Sequence, residues 1–161
     1  MNITRTLTVA FAIVASTALY GFGQAKSPVD ACKWKIDLPP VKGASMAHSE
    51  WTLPQGRVFV DCKDVPPDLS GKSETELVTI LSKQLWDSAE RMSPEAVLAE
   101  GKELTMAGHP GLLMVIDTDT KIHLIKAFVA KKKVYLVTAF APTYAELPKL
   151  RTDVETFKIV E

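Results

Sequence analysis

The chain has 161 residues, and its 19 Lys and Arg side chains balance 19 Asp and Glu side chains, so its formal net charge is zero. This balance argues against nucleic acid as the main partner, because binding to a phosphate backbone needs an excess of positive charge. The two cysteines and three histidines do not have metal-binding spacing, and we therefore predict no metal and no other cofactor.

The N-terminal residues 1–25 have the pattern of a secretory signal peptide. Arg5 supplies the positive charge, residues 7–18 form an apolar stretch, and cleavage is expected after Ala25. An uncleaved membrane anchor is the alternative, but the apolar run is shorter than the roughly 20 residues that a spanning helix needs. We predict a periplasmic or secreted protein in which residues 26–161 form one domain without a membrane span.

Cys32 and Cys62 are the only cysteines, and an oxidising compartment favours a disulfide between them. Cys32 precedes the apolar run 34–36, and Cys62 follows the run 58–60. If these runs pair as antiparallel strands, the two cysteines meet. A redox-active pair is the alternative, but such pairs usually have the close spacing C-x-x-C. We predict a structural disulfide.

Residues 39–56 are expected to be irregular, because prolines and glycines interrupt them. The large apolar side chains of this segment are Met46, Trp51 and Leu53. Cover for the core is the favoured interpretation of these three residues. A surface for a ligand or a partner protein is the alternative.

A helix is predicted after a short strand at residues 57–62. Ser73 and Glu76 have the spacing of a capping box, in which each side chain satisfies a backbone N–H. Apolar residues then follow at helical spacing, and the helix is expected to end near residues 90–92. Ser93-Pro94 stops it, because the residue before a proline disfavours helical geometry.

Strand-like runs follow the helix, and short turns separate them. The runs cover residues 96–106, 112–117, 121–130 and 134–141, and the turns cover residues 107–111, 117–120 and 131–133. Because the last three runs are joined by hairpin turns, they predict an antiparallel meander.

Helical spacing returns at the C-terminus. Thr143 and Glu146 are a possible second cap, Pro148 marks the first turn, and apolar residues continue at helical spacing to Phe157. A central helix, a meander and a terminal helix together predict an α+β fold, in which an antiparallel β-sheet packs against two helices.

Three short motifs resemble the PsbP/Mog1-like family. They are Gly108-His109-Pro110-Gly111, Lys133-Val134-Tyr135-Leu136-Val137 and Thr156-Phe157-Lys158-Ile159. The resemblance covers roughly residues 57–160 and implies an antiparallel sheet flanked by helices. It also implies an accessory, assembly or binding role without enzymatic activity, since most members of that family have such roles.

Candidate catalytic residues are few. Residues 43–47 faintly match the nucleophile elbow G-x-S-x-G, which would make Ser45 a nucleophile with His48 or His109 as its base. No strand precedes this segment and no helix follows it, so a loop is favoured. His123 is interpreted as a strand residue at a wet edge, and Asp117 and Asp119 as turn residues rather than calcium ligands.

The favoured function is that of a non-enzymatic periplasmic binding or accessory module. Its partner is expected to be an unknown protein or a small apolar ligand of the cell envelope. A small exported hydrolase that uses Ser45 and either His48 or His109 is the alternative.

Overall fold

The computed structural model describes residues 32–40 and 45–160, so the predicted signal peptide lies outside the described residues. The strands are β1 (Trp34–Lys35), β2 (His48–Leu53), β3 (Gly56–Asp64), β4 (Val97–Met106), β5 (His109–Asp117), β6 (Ile122–Ala130), β7 (Lys133–Ala141) and β8 (Lys158–Ile159). The helices are α1 (Glu74–Met92) and α2 (Leu147–Glu155). Neither helix of this described part is long and apolar enough to cross a membrane.

Six strands form one antiparallel sheet in the order β2-β3-β7-β6-β5-β4, and β1 pairs with β8 in a separate two-stranded sheet. The helix α1 covers β5 and β6 on one side, here called the α1 face. The helix α2 covers β6 and β7 on the other side, the α2 face. This arrangement confirms the predicted α+β class and the meander.

The capping box at the start of α1 is confirmed. The Ser73 hydroxyl accepts a hydrogen bond from the backbone N–H of Glu76, and the Glu76 carboxylate accepts one from the N–H of Ser73. Because these Ser73 groups stabilise the charged carboxylate, they hold the pKa of Glu76 below its usual value. The helix also ends where its sequence predicts, with Ser93 as its C-cap.

The predicted pairing of residues 34–36 with residues 58–60 is wrong. The strand β3 already has β2 on one side and β7 on the other, so it has no free edge for β1. Trp34 pairs instead with Ile159, near the C-terminus. Cys32 and Cys62 are nevertheless bonded, because β1 lies across the α2 face at the level of Cys62.

The prediction of an irregular segment at residues 39–56 is also wrong. Residues 48–53 form β2, because the turn at Pro54 and Gln55 folds the chain back onto β3. Ser49 and Trp51 are buried and alternate along β2 with His48 and Thr52, which are exposed, and with Glu50, which is half-buried. Because prolines and glycines flank these residues, the short alternation of β2 was not recognised in the sequence.

Two other boundaries differ from their predictions. The turn predicted at residues 107–111 is a two-residue hairpin turn at Ala107 and Gly108, whose φ angles of 51° and 80° suit such a turn.

The helix α2 begins at Leu147, and the Thr143 hydroxyl donates a hydrogen bond to the Glu146 carboxylate in the turn before it. The Thr143 side chain therefore stabilises the turn that precedes α2 and does not cap the helix.

The motifs of the family resemblance meet in the core of the α2 face. The Phe157 ring is fully buried, stacks on Phe128 at 6.3 Å and contacts Tyr135 at 6.4 Å between ring centroids. Gly111 pairs with Phe128 in the sheet and leaves the space that the Phe128 ring occupies. Each motif therefore supplies one contact of a single aromatic cluster.

We predict that Gly111→Ala lowers the free energy of unfolding by about 1–3 kcal/mol, through overpacking. A Cβ atom at this position would lie 2.2 Å from Cδ1 of Phe128 and 2.5 Å from the carbonyl oxygen of Ala127. Gly101→Ala is the matched control, since its nearest atom lies at 3.6 Å, and it should change stability by less than about 0.5 kcal/mol. Urea denaturation measures both, and equal effects would contradict the steric account.

We predict that removing the disulfide in a Cys32→Ala, Cys62→Ala double variant costs about 3–4 kcal/mol of stability, because the bond closes a loop across a separation of 30 residues. Reductant should destabilise the unaltered protein by a similar amount and leave the double variant unchanged. A reductant effect of equal size on both proteins would mean that it acts elsewhere.

Candidate functional site

The three apolar residues for which a ligand or partner surface was the alternative interpretation, Met46, Trp51 and Leu53, do not share one exposed face. Trp51 is 7% exposed and packs in the core, and Leu53 packs against the same cluster. The indole N–H of Trp51 donates to the carbonyl oxygen of Pro39 at 2.8 Å. Met46 is exposed, although Trp34 donates a hydrogen bond to its backbone carbonyl. Trp51 and Leu53 thus serve as core, which was the favoured interpretation.

The residues of the hydrolase alternative are not arranged as a nucleophile and a base. The Ser45 hydroxyl donates to the backbone carbonyl of His48 and accepts from its backbone N–H, both at 3.1 Å. The His48 ring lies instead against Asp61, with Nδ1 2.7 Å from Oδ1. The four strand spacings between β2 and β5 place His109 roughly 19 Å away across the sheet.

His109 has a structural environment. Its Nδ1 lies 2.9 Å from one carboxylate oxygen of Glu74, and the other oxygen accepts the backbone N–H of Lys131 at 3.0 Å. A single carboxylate at the start of α1 therefore holds β5 and the β6–β7 turn against the helix.

A cleft of about 240 Å³ lies at one end of the sheet, between the C-terminal end of α1 and the turn that joins β5 to β6. Six of the residues that line it are polar, and two are apolar. The lining residues are Met92, Ser93, Thr118, Asp119, Thr120, Lys121, His123 and Phe140. We take this cleft as the candidate functional site.

His123 and Ser93 are the two buried polar residues that line the cleft, and the interpretation of His123 as a residue at a wet edge is wrong. The strand β6 is the third from one edge of the sheet and is buried along its whole length, so His123 is only 6% exposed. Its ring meets Phe140 edge-on at 4.7 Å between centroids. Among the residues that the structure describes, none hydrogen-bonds the imidazole, which faces the cleft.

Burial controls the charge of this imidazole. Loss of solvation and, as a smaller cause, the positive charge of Lys121 together lower the pKa of His123 from 6.5 to about 4. The ring is therefore neutral at physiological pH, with one N–H donor and one nitrogen acceptor.

Charged and hydroxyl groups surround His123. The ammonium of Lys121 lies 4.5 Å from the centroid of the Phe140 ring, within cation–π range. The Ser93 hydroxyl, at the end of α1, donates to Oδ1 of Asp119 at 3.1 Å. Thr118 closes the turn, since its hydroxyl donates to the carbonyl oxygen of Lys121 at 2.7 Å.

Exposed apolar side chains lie at the same end of the sheet. Met92 lines the cleft, and Val97 is paired with Asp117 at the start of the edge strand β4. The Tyr144 hydroxyl donates to the carboxylate of the same Asp117 at 2.8 Å, an interaction that raises the tyrosine pKa. With the neighbouring Leu98 they are the exposed large apolar residues at this end of the sheet, here called the apolar rim (Met92, Val97, Leu98 and Tyr144), although Val97 and Leu98 point to opposite faces of β4.

Some residues of this site could be recognised in the sequence, but the sequence did not indicate that they lie together in the fold. Residues 117–120 predicted a turn, and the structure places Asp117 at the end of β5 and Asp119 in the turn, with no group of ligands that could hold a metal ion in the described part of the chain. In the sequence, the indication for His123 was its position within a long apolar run, a pattern typical of a central strand that is buried on both faces. Neither Met92 nor Phe140 carried a functional pattern, because both lie far from His123 along the chain.

No family model matches the chain, and no curated protein matches it. Among solved structures, cyanobacterial PsbP (CyanoP) from Synechocystis matches with a TM-score of 0.53 and 10% identity, over 88% of this chain and 99% of that chain. A protein of unknown function from Pseudomonas aeruginosa matches with a TM-score of 0.49 and 15% identity, over 67% of this chain and 76% of that chain. The first match confirms a PsbP-like fold, as the motifs predicted.

We predict that the stability of the protein falls by about 2 kcal/mol between pH 6.5 and pH 4.5 because of His123. Its pKa is lower in the folded state, so the unfolded chain binds the extra proton in this window and stability rises with pH across it. His123→Leu should lose this part of the pH dependence in urea denaturation. A proton NMR titration of His123 with a midpoint near 6.5 would contradict the prediction.

Proposed function

We propose that this chain, with its PsbP-like fold, is a non-enzymatic binding or accessory module of the periplasm or another extracytoplasmic space, and that the cleft beside His123 is its binding site. The observation that carries the proposal is the His123 imidazole, which is buried, faces the cleft and has no hydrogen-bond partner among the described residues. Its ring nitrogens reach solvent only through the cleft, so a polar ligand that enters the cleft can exchange hydrogen bonds with the imidazole in place of water.

The proposed location rests on two features. Residues 1–25 have the signal-peptide pattern, and the Cys32–Cys62 bond is of a kind that persists in oxidising compartments and is rare in the cytosol. Both features favour export into the periplasm or the medium.

The composition of the cleft favours a small polar ligand with an apolar part over the purely apolar ligand expected from the sequence. Six of its eight lining residues carry hydroxyl, ammonium, carboxylate or imidazole groups, while Met92 and Phe140 are apolar. A purely apolar molecule would leave these polar groups without water or partners.

A partner protein is the second candidate, and the apolar rim favours it. Four of the six large apolar side chains that are exposed in the described chain belong to this rim. Exposed apolar residues that gather beside a cleft are typical of interaction sites. An accessory role would place a partner over the rim and the mouth of the cleft.

The hydrolase alternative has less support. Ser45 uses its hydroxyl on the backbone of His48, and the rings of His48 and His109 are each engaged by a carboxylate at a different place. A catalytic role would require these groups to leave their present partners.

We predict that the protein purified gently from the periplasm of its own host carries extra mass in native mass spectrometry. The extra mass should be lost in a His123→Leu variant, because the leucine removes the polar group that the ligand satisfies. His48→Leu is the matched control, since His48 lies outside the cleft and its side chain is 54% exposed, and it should retain the mass.

Two results would contradict the proposed function. One is a His123→Leu protein that carries the same mass as the unaltered protein. The other is an unaltered protein that is free of ligand and partner in every gentle preparation. The same samples, analysed after denaturation, report whether residues 1–25 have been removed.

A further inference from the structure

We infer that the cleft binds a small zwitterion of the α-amino-acid class, with the ligand carboxylate at Lys121 and the ligand ammonium at Asp119. This inference rests on the proposed function and specifies its ligand. The observation behind it is that two opposite charges line one cleft beside an unpartnered imidazole.

The two charges are available to a ligand. Asp119 and Lys121 lie two residues apart in one turn, and in the described part of the chain neither forms an ion pair, with the other or with a third residue. The Ser93 hydroxyl holds one oxygen of Asp119. An ionised carboxylate has about four acceptor sites, so most of its capacity remains open.

The end of α1 adds to the preference for an ammonium group near Asp119. The helix is 19 residues long, and its C-terminal end, which carries partial negative charge, is at Met92 and Ser93 in the wall of the cleft. The negative side of the cleft therefore combines a carboxylate with a helix C-terminus. The positive side is the Lys121 ammonium.

His123 can serve either group of the ligand. A neutral imidazole offers one donor to a carboxylate and one acceptor to an ammonium. The Phe140 ring and the exposed Met92 side chain form an apolar wall, which suits the side chain of an amino acid. The two charged groups and the side chain of one amino acid would thus each contact a complementary part of the cleft.

Ligands with a single charge fit this arrangement less well. A simple anion would lie near the Asp119 carboxylate, and a simple cation would lie near the Lys121 ammonium. A like charge in the same cleft is unfavourable for each of these ligands. A zwitterion avoids both repulsions, since each of its charges meets the opposite charge in the cleft.

The test uses the protein as isolated, with the Cys32–Cys62 bond intact, freed of bound ligand by unfolding and refolding. Each standard L-amino acid except cysteine, whose thiol would reduce the disulfide, is added singly at up to about 10 mM, and the unfolding temperature reports binding through ligand-linked stabilisation. Calorimetry then compares the best binder with its N-acetyl derivative, which keeps only the carboxylate, and with its amide, which keeps only the ammonium. Each derivative should bind at least roughly tenfold more weakly than the amino acid.

Two variants sharpen the test. Asp119→Asn should remove the preference for a free ammonium, so that the N-acetyl derivative binds as well as the amino acid. Lys121→Met should remove the preference for a free carboxylate in the same way. Asp68→Asn and Lys149→Met are the matched controls, since both residues are exposed outside the cleft, and neither should change any affinity.

The inference is overturned if no amino acid raises the unfolding temperature, or if either derivative binds as tightly as the amino acid. It is also overturned if Asp119→Asn leaves the preference intact. These failures leave the proposed function standing as long as His123→Leu still abolishes the mass that the native protein retains, so the two proposals fail separately.

Discussion

The packing of Phe157 is the contact on which the rest of the structure depends. This residue lies after the last turn of α2, is fully buried, and contacts aromatic rings from three other parts of the chain. Trp34 comes from β1, Phe128 from β6 and Tyr135 from β7. Aromatic pairs at these distances add to the gain from burying apolar area. The contact fixes α2 against the sheet and brings both ends of the described chain together.

The sheet in turn holds the candidate site. With α2 fixed on one face and α1 on the other, β6 is enclosed on both sides, and His123 cannot reach bulk water except through the cleft. The Glu74 carboxylate positions the opposite end of α1 against two strand connections. The cleft is therefore built on the ends of helix and strands, and hydrogen bonds within the protein hold Asp119 and the turn at Thr118.

Local patterns were enough to predict the two helices and the meander, whereas the disulfide was predicted from the number of cysteines and the expected compartment, with a strand pairing that the structure does not contain. The capping box and the apolar spacing of α1 are contained within about twenty residues, and each hairpin turn lies between the strands that it joins. Strands β1, β2 and β8 were predicted incorrectly or missed. They are short, and partners distant in the sequence determine two of them, as the pairing of Trp34 with Ile159 illustrates. His123 was misread for the same reason, because its burial depends on which strands flank β6.

The pairing of β1 with β8 also constrains the order in which the chain folds. The meander from β4 to β7 contains contacts between neighbouring segments, which form quickly because little loop entropy is lost. The strand β1 has its sheet partner at the opposite end of the chain, so it must wait until synthesis or export has delivered the C-terminal residues. Cys32 and Cys62 both emerge long before that point. Their bond can therefore keep β1 beside β3 while the strand still lacks its partner.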